Sequence, residues 1–550
     1  SAADVGPGSP TGISFGYGAK FPARYQDALF ICDWSFGKLR AVHLTPDGAS
    51  YAGNVEEFVS GQPLPLTDVI IHPLDGAMYF TVGGRGAQSA LYRVTYTGAE
   101  PTGAGAPDAR LQDRRDIRHR LEAFHGRQDP GAVAALWPFL SDADRSIRNA
   151  ARVALEWQDV GAWRERALSE REPRKAIPAL AALARMSRKD DIHRKEADAK
   201  PDPALRGRVL AALNAIELKS LPPSDLLDLL RAYELAFTRL GPPGDTELTA
   251  LSPRLASVLP SANRDVNIQT ANLLVYLQSA EAAPRILGLL REAPTQEEQI
   301  EYVLALRALR AGWTPPLREE YFRWFVTKGA SYRGGNTFAS SIETIRKEAA
   351  ATLSDAERSQ LKGLLEAPPE RRSPGEILAA RPVVKAWTLE ELIPIVGQGL
   401  QGGRNFARGR KLYSDAGCAA CHRLSTDGGS VGPDLTGLAG RFSVHDVLEA
   451  IVDPNKVISD QYAAIVIHKK TGEIVTGRIA NLGASNIDVV ENMLEPGRMT
   501  SLRREDIEAM EESKVSMMPE GLLNSLTPPE IQDLAAFLLS RGDSNAPAFR

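Results

Sequence analysis

The stretch that decides the fold runs from Asn405-Phe406-Ala-Arg-Gly409-Arg-Lys-Leu-Tyr413 to Cys418-Ala-Ala-Cys421-His422. The Cys-x-x-Cys-His pattern carries a mechanism. Both thiols can add to the vinyl groups of a haem and become thioethers, and the adjacent imidazole then lies beneath the iron as proximal ligand. The spacing puts both sulfurs and the ring on one side of a short turn. One covalently attached haem c is therefore the expected cofactor, with Cys418, Cys421 and His422 binding it. Two other chemistries use such cysteines. A zinc site needs a fourth ligand, and there is no second cysteine pair. A thioredoxin-like redox pair expects a βαβ setting, which the flanking pattern lacks.

The flanks read as a scaffold for that turn. Asn405 to Tyr413 is a short helix in which Gly409, with Phe406 and Tyr413 on nearby faces, allows another helix to approach closely. Thr527-Pro528-Pro529-Glu530 is a capping box with proline at the first helical position. It starts a helix that turns Ile531, Leu534, Ala535, Phe537 and Leu538 inward. Class I cytochromes c resemble this arrangement, their first and last helices crossing at a glycine and an aromatic. Val431-Gly432-Pro433-Asp434-Leu435-Thr436-Gly437 is similar to their Gly-Pro-x-Leu loop, although Gly-Pro is also a common turn. The resemblance implies that the Pro433 carbonyl meets the second ring nitrogen of His422, fixing its tautomer and raising its basicity.

For the sixth position on the iron, methionine and histidine are the usual partners. Met518 precedes Pro519 in a loop just before the last helix, and this resembles the Met-Pro loop of the same cytochromes. Met518 is thus expected as the second metal ligand beside His422, with Met517 as its nearest rival. His445, His468, Met493, Met499 and Met510 stand behind them. His445 follows Ser443, the cap of a Ser-x-x-Asp446 box, and reads as a residue of a helix's first turn. No catalytic residue is assigned.

Between the haem motif and Met518 the pattern switches to strands: Tyr462-Ala-Ala-Ile-Val-Ile467, Ile474-Val-Thr-Gly-Arg-Ile479 and Asn486-Ile-Asp-Val-Val490. A compact cytochrome core has no room for them, so a small β-module is inserted at about 461–507. Residues of about 388 to 541 resemble the haem-binding domain of the Pirellula/Verrucomicrobium type. The resemblance rests on Gly409 to Tyr413, Cys418 to His422, Gly432 to Gly437, Glu449-Ala-Ile-Val-Asp-Pro-Asn455, Tyr462, Gly472, Gly477, Met518-Pro519 and Leu526-Thr-Pro-Pro-Glu530. It also extends to Tyr321-Phe-Arg-Trp324 and Tyr332-Arg-Gly-Gly335. It implies an exported chain that joins a dehydrogenase-like propeller, helical repeats and a cytochrome domain for redox work.

The rest of the chain fits that plan. Residues 1–96 read as β-structure, with Asp27 to Asp33, Lys38 to Leu44 and Ala77 to Val82 between glycine, proline and aspartate turns. Phe30-Ile-Cys-Asp-Trp34, Gly37-Lys-Leu and Asp68 to Tyr79 resemble the last propeller blades of soluble glucose and sorbosone dehydrogenases. Under 100 residues cannot close a propeller of blades that take about 40–50 residues each. A partial β-propeller is therefore expected, with the remainder in the same precursor or in a separate chain. Cys32 reads as a buried thiol. A linker at 97–108 leads to a helical domain at 109–366, where leucine and alanine recur at three- and four-residue steps. Ser141 to Leu155 and, more weakly, Asp265 to Leu274 have the look of helices in an α-helical, HEAT-like solenoid. Its many charges read as a solvated face. A second linker, 367–387, precedes the all-α class I cytochrome c domain at 388–550. The expected fold class is thus multidomain.

The chain has 550 residues and a net charge of −4. That balance argues against a nucleic-acid partner, which would need a basic face. No apolar run is long enough for a transmembrane segment. The first residues, Ser1-Ala-Ala-Asp-Val5, are not a signal peptide. Haem attachment takes place outside the cytoplasm, so a removed leader or a longer precursor is expected, with a periplasmic or other extracytoplasmic location. The favoured function is electron transfer as a monohaem c-type cytochrome, its redox partner protein being a propeller-type dehydrogenase. A second reading makes the chain the C-terminal part of a quinoprotein sugar or alcohol dehydrogenase. A third makes it a helical-repeat assembly protein carrying a haem, within an oligomer or larger complex.

Overall fold

The structure is a computed structural model. It describes the chain except residues 1, 6–7, 36, 62–63, 85–86, 106–107, 188–201, 333–337, 369–380, 426, 430–431, 441, 459–461, 483–484 and 494–498. Val431 and part of the Tyr332–Gly335 stretch thus lie outside the described residues.

At the N-terminus, alternating apolar residues form seven strands in two antiparallel meanders. β1 (Pro10–Phe15), β2 (Leu29–Asp33), β3 (Lys38–Asp47) and β4 (Ser50–Ser60) make one sheet in sequential order. β5 (Leu66–Ile71), β6 (Met78–Gly84) and β7 (Ala87–Val94) make the other. The two share one core, built on Phe30, Cys32, Leu39, Leu66, Met78 and Phe80. The Trp34 indole ties them together by donating to the Gly83 carbonyl at 2.7 Å. Cys32 is fully buried, and burial pushes its thiol up to about 11. Among the described residues the sheets do not close into a propeller.

The β3–β4 turn is Gly48-Ala49, with Gly48 at φ +56°, a left-handed conformation that favours glycine. Its tip inserts into the helical part. The Ala49 amide donates to the Asp144 carboxylate, and Arg118 donates to the Ala49 carbonyl at 3.3 Å. Ala49 is 1% exposed within the helical core.

Helices follow one another from Gln112 to Glu366. They include α1 (Arg145–Glu156), α2 (Pro173–Ser187), α3 (Pro223–Leu240) and α4 (Gln296–Leu306). Asp144 caps α1, accepting from the Ser146 amide at 2.7 Å. The α1 stripe Ile147, Ala151, Ala154 and Leu155 is buried against Leu180 and Leu183 of α2, and Tyr233 and Phe237 of α3 extend the same core. The segment around Asp265 is likewise helical, Arg264–Tyr276, capped by Asn263.

The C-terminal part contains α5 (Leu389–Gly399), α6 (Phe406–Asp415) and α7 (Cys418–Cys421). Then come β8 (Arg423–Leu424), β9 (Asp427–Gly428) and α8 (Val444–Val452). A five-stranded antiparallel sheet follows, with β10 (Ile465–Lys469), β11 (Ile474–Leu482), β12 (Asn486–Val490), β13 (Thr500–Arg503) and β14 (Ile507–Glu512). Its strand order is β13-β12-β11-β10-β14, around Ile467, Val475, Ile487, Val489 and Leu502. The inserted sheet therefore runs to Glu512 and not to 507, because β14 pairs along the whole of β10. The last helix is α9 (Pro528–Leu539).

α6 and α9 cross in contact at Gly409. A Cβ there would lie 2.9 Å from the Phe537 Cβ and closer still to the Asp533 carbonyl oxygen. Phe406 packs edge-on against Phe537 at 5.3 Å between ring centroids, and Tyr413 flanks Phe537 at 5.7 Å. The pair thus crosses at a glycine and an aromatic, as read from the sequence. Among the described residues, no helix is long and apolar enough to cross a membrane.

Candidate functional site

α6 carries the chain into the motif. Gly417, at φ +80°, reverses direction after α6, and Cys418 to Cys421 make a single helical turn. Two long-range bonds fix this turn against its surroundings. The Tyr413 hydroxyl donates to the His422 carbonyl at 2.6 Å, and the Gly429 amide donates to the Ala419 carbonyl at 2.8 Å. Both cysteines are free and half-buried. Burial pushes Cys418 up to about 12 and raises Cys421, so both are held as neutral thiols. Cys418 and Ala419 pack on an apolar cluster that includes Leu412, Leu435, Leu438 and Leu534.

The loop after β9 folds back over the His422 ring. The Gly432 amide donates to the Cys421 carbonyl at 2.7 Å, and the Leu435 amide donates to the Arg423 carbonyl at 2.7 Å. Pinned at both ends, the loop brings the Pro433 carbonyl to 2.9 Å from His422 Nδ1. A carbonyl only accepts, so Nδ1 carries the proton and Nε2 keeps its lone pair. Burial lowers the pKa of His422 below the ordinary histidine value, against the opposing pull of the Pro433 contact. The ring is therefore neutral near pH 7, the form that binds a metal through Nε2. A Cβ at Gly432 would lie 2.9 Å from the His422 Cε1. Only glycine lets the loop pass that close.

These residues fit a covalent haem: two neutral thiols spaced along one turn, an imidazole with one nitrogen committed and the other free, and an apolar lining. Residues 406–471 match the Cytochrome c family model. No curated protein matches the chain. The matched span holds α6, Cys418, Cys421, His422 and Pro433, so the C-terminal part contains a cytochrome c domain, with the haem-binding and electron-transfer role that goes with it. Haem c is covalent in that family through the pair that Cys418 and Cys421 supply.

The cytochrome c domain places the other candidates unevenly. Met517 and Met518 are half-buried in the segment between β14 and α9. That segment is anchored on Asn455, just after α8. Asn455 accepts from the Ser516 amide at 2.8 Å and donates to Glu520 at 2.6 Å, while the Met518 amide donates to Ser516 Oγ at 3.1 Å. His445 sits in the first turn of α8 with its side chain 52% exposed, and Ser443 and Asp446 form the capping box. His468 pairs with Glu511 across β10 and β14 at 3.2 Å. Met493 is buried, and Met499 and Met510 are exposed. Among the described residues, no group of three or more His, Cys, Asp or Glu side chains could hold a metal ion.

Two buried acids with arginine partners escaped the sequence reading. Arg410 of α6 makes a two-pronged contact with Asp427 of β9, at 2.6 and 2.8 Å, which locks the helix to the strand beside the haem motif. Asp533 of α9 is 0% exposed and meets Arg408, Arg404 at 3.7 Å and the Asn405 amide at 3.2 Å. Asp533 had a signal: an acid on the otherwise apolar inner face of α9.

Proposed function

We propose that this chain is an extracytoplasmic monohaem c-type cytochrome that receives electrons from a propeller-type dehydrogenase. Cys418 and Cys421 would anchor the single haem, and His422 and Met518 would hold its iron from the two sides. When bound, the haem supplies one-electron chemistry, the iron changing charge by one unit. The protein's own residues do the rest. Pro433 fixes the His422 tautomer, Tyr413 holds the backbone of the ligand turn, and Asn455 holds the segment that carries Met518. With His422 and Met518 each held by the protein in this way, little movement would be needed when the iron changes charge.

The observation that carries this reading is the His422 Nδ1 contact with Pro433, because it leaves Nε2 free and aimed by a pinned loop. The two N-terminal meanders, of four and three strands, support a partial propeller, and the stacked amphipathic helices support a HEAT-like solenoid. Arg423, next to the proximal histidine, pairs with Asp4 at 3.0 Å, which sets the N-terminal segment beside the haem turn. An extracytoplasmic setting follows from where thiols and haem are joined.

The deciding experiment is a reduced-minus-oxidised spectrum of the chain purified from a host that matures cytochromes c, with Met518→Ala alongside. The wild type should show haem Soret and α bands that survive acid-acetone extraction. The variant should keep them while losing the weak methionine-to-iron band. A wild type without haem bands overturns the cytochrome reading. A variant that keeps the methionine band overturns Met518.

A further inference from the structure

We infer that the groove bounded by α1, α2 and α3 is a binding site for a small organic molecule carrying two or more negative groups. Three helical stripes meet there. α1 supplies Arg145, Arg148, Asn149 and Arg152 on one face, at steps of three and four residues. α2 adds Arg174 and Arg185, and α3 adds Arg231 with Asp225 and Asp228. Six arginines thus face two aspartates in a chain whose net charge is −4. The Glu156 and Glu234 carboxylates pair with lining arginines and still leave two guanidiniums in excess.

The excess is not evenly spread. Arg174 is engaged by Asp225 at 2.8 Å, Arg152 and Arg185 share Glu156, and Arg231 meets Glu234 at 2.5 Å. Among the described residues, Arg148 donates to the backbone carbonyls of Asp142 and Ala143, at 2.8 and 3.0 Å, and makes no ion pair within 4.0 Å. Arg145 is exposed at the mouth and makes no ion pair within 4.0 Å among the described residues. Asp228 is the acid that faces Arg145, Arg148 and Arg152. Like charges gathered around a concave surface focus the field and concentrate anions there. Guanidinium forks then recognise carboxylate, phosphate or sulfate by paired hydrogen bonds.

Size and lining argue for a small molecule over a protein surface. The groove encloses about 250 Å³ and has an apolar strip along its wall, from Ile177, Pro178, Ala181 and Leu235. A carbon skeleton would lie on that strip while its anionic groups reach the arginines. A docked protein would need a far larger area, about 800 Å² on each side.

The test is calorimetric titration of the haem-loaded full chain with citrate, fructose 1,6-bisphosphate and inorganic phosphate at constant ionic strength. Citrate or the bisphosphate should bind saturably at one site per chain, and inorganic phosphate, which has no skeleton for the apolar strip, should bind more weakly. Arg145→Ala should weaken the tighter ligand about tenfold, the weight of a charge-assisted hydrogen bond. Asp228→Asn should tighten it. Arg145 and Asp228 are both exposed, so the variants fold, and an unchanged haem spectrum checks this. Arg291→Ala, on a distant surface pair, should change nothing. The inference fails if no organic anion saturates, if Arg145→Ala and Arg291→Ala bind alike, or if a glutamate-rich peptide outcompetes both small anions.

Discussion

Replacing Gly409 by alanine adds one methyl group where α6 and α9 touch. The new Cβ would lie 2.9 Å from the Phe537 Cβ and nearer to the Asp533 carbonyl oxygen, which is backbone and cannot swing aside. Carbon atoms pack at about 3.5–4.0 Å, so the helices must separate by about 1 Å. Against a backbone atom that cannot move, overpacking falls in the upper part of its range, about 2–3 kcal/mol. Alanine recovers about 1 kcal/mol through its better helix propensity. The net loss is about 1–2 kcal/mol, and it should appear in the cytochrome c domain alone. Gly288, inside the helix Ala282–Glu292, is the matched control. A Cβ there meets nothing within 4 Å, so Gly288→Ala should gain about 1 kcal/mol from propensity. Guanidinium unfolding followed by haem absorbance isolates the cytochrome c domain, and far-ultraviolet circular dichroism follows the helical part that holds Gly288, in a chain that need not unfold in one step. A Gly409→Ala midpoint equal to or above wild type would refute the close-crossing argument.

Other perturbations follow from the same geometry. Tyr413→Phe strands the half-buried His422 carbonyl and should lower the stability of the haem domain by about 1–2 kcal/mol, read from the same unfolding curve. With Met518 on the iron as proposed, Asn455→Ala frees its segment at two points, so the methionine-to-iron band should vanish at lower denaturant than the Soret change, and in wild type the two should coincide. Gly48→Val puts a β-branched residue at φ +56° against Asp144. It should cost about 1–2 kcal/mol or more and expose the β3–β4 turn to limited proteolysis, with the haem spectrum unchanged.

The features most legible in the sequence were those set by short-range rules. The Cys418–His422 turn, the capping box at Thr527 and the glycine at the helix crossing each follow from a few neighbouring residues. β14 was not legible. Ile507-Glu-Ala-Met-Glu-Glu512 is rich in helix formers, and most of it is exposed, so neither propensity nor alternation marks a strand. It is a strand because β10 offers a free edge, a contact made across some forty residues of chain. The Arg410–Asp427 pair was hidden for the same reason, since nothing local joins a helix to a strand seventeen residues on. The charges of α1 to α3 read as a solvated face one helix at a time. Only stacking shows that three such faces turn toward one another.

The β10–β14 sheet has a further consequence. Its first and last strands are neighbours: Ile465 stands opposite Glu512, and the Ser513 amide donates back to the Ala464 carbonyl at 2.8 Å. The chain therefore leaves the haem-bearing body and returns to it at almost the same point. Such a sheet can be lengthened, shortened or exchanged between proteins without moving the two ends it joins. The sheet is an insertion whose entry and exit lie side by side.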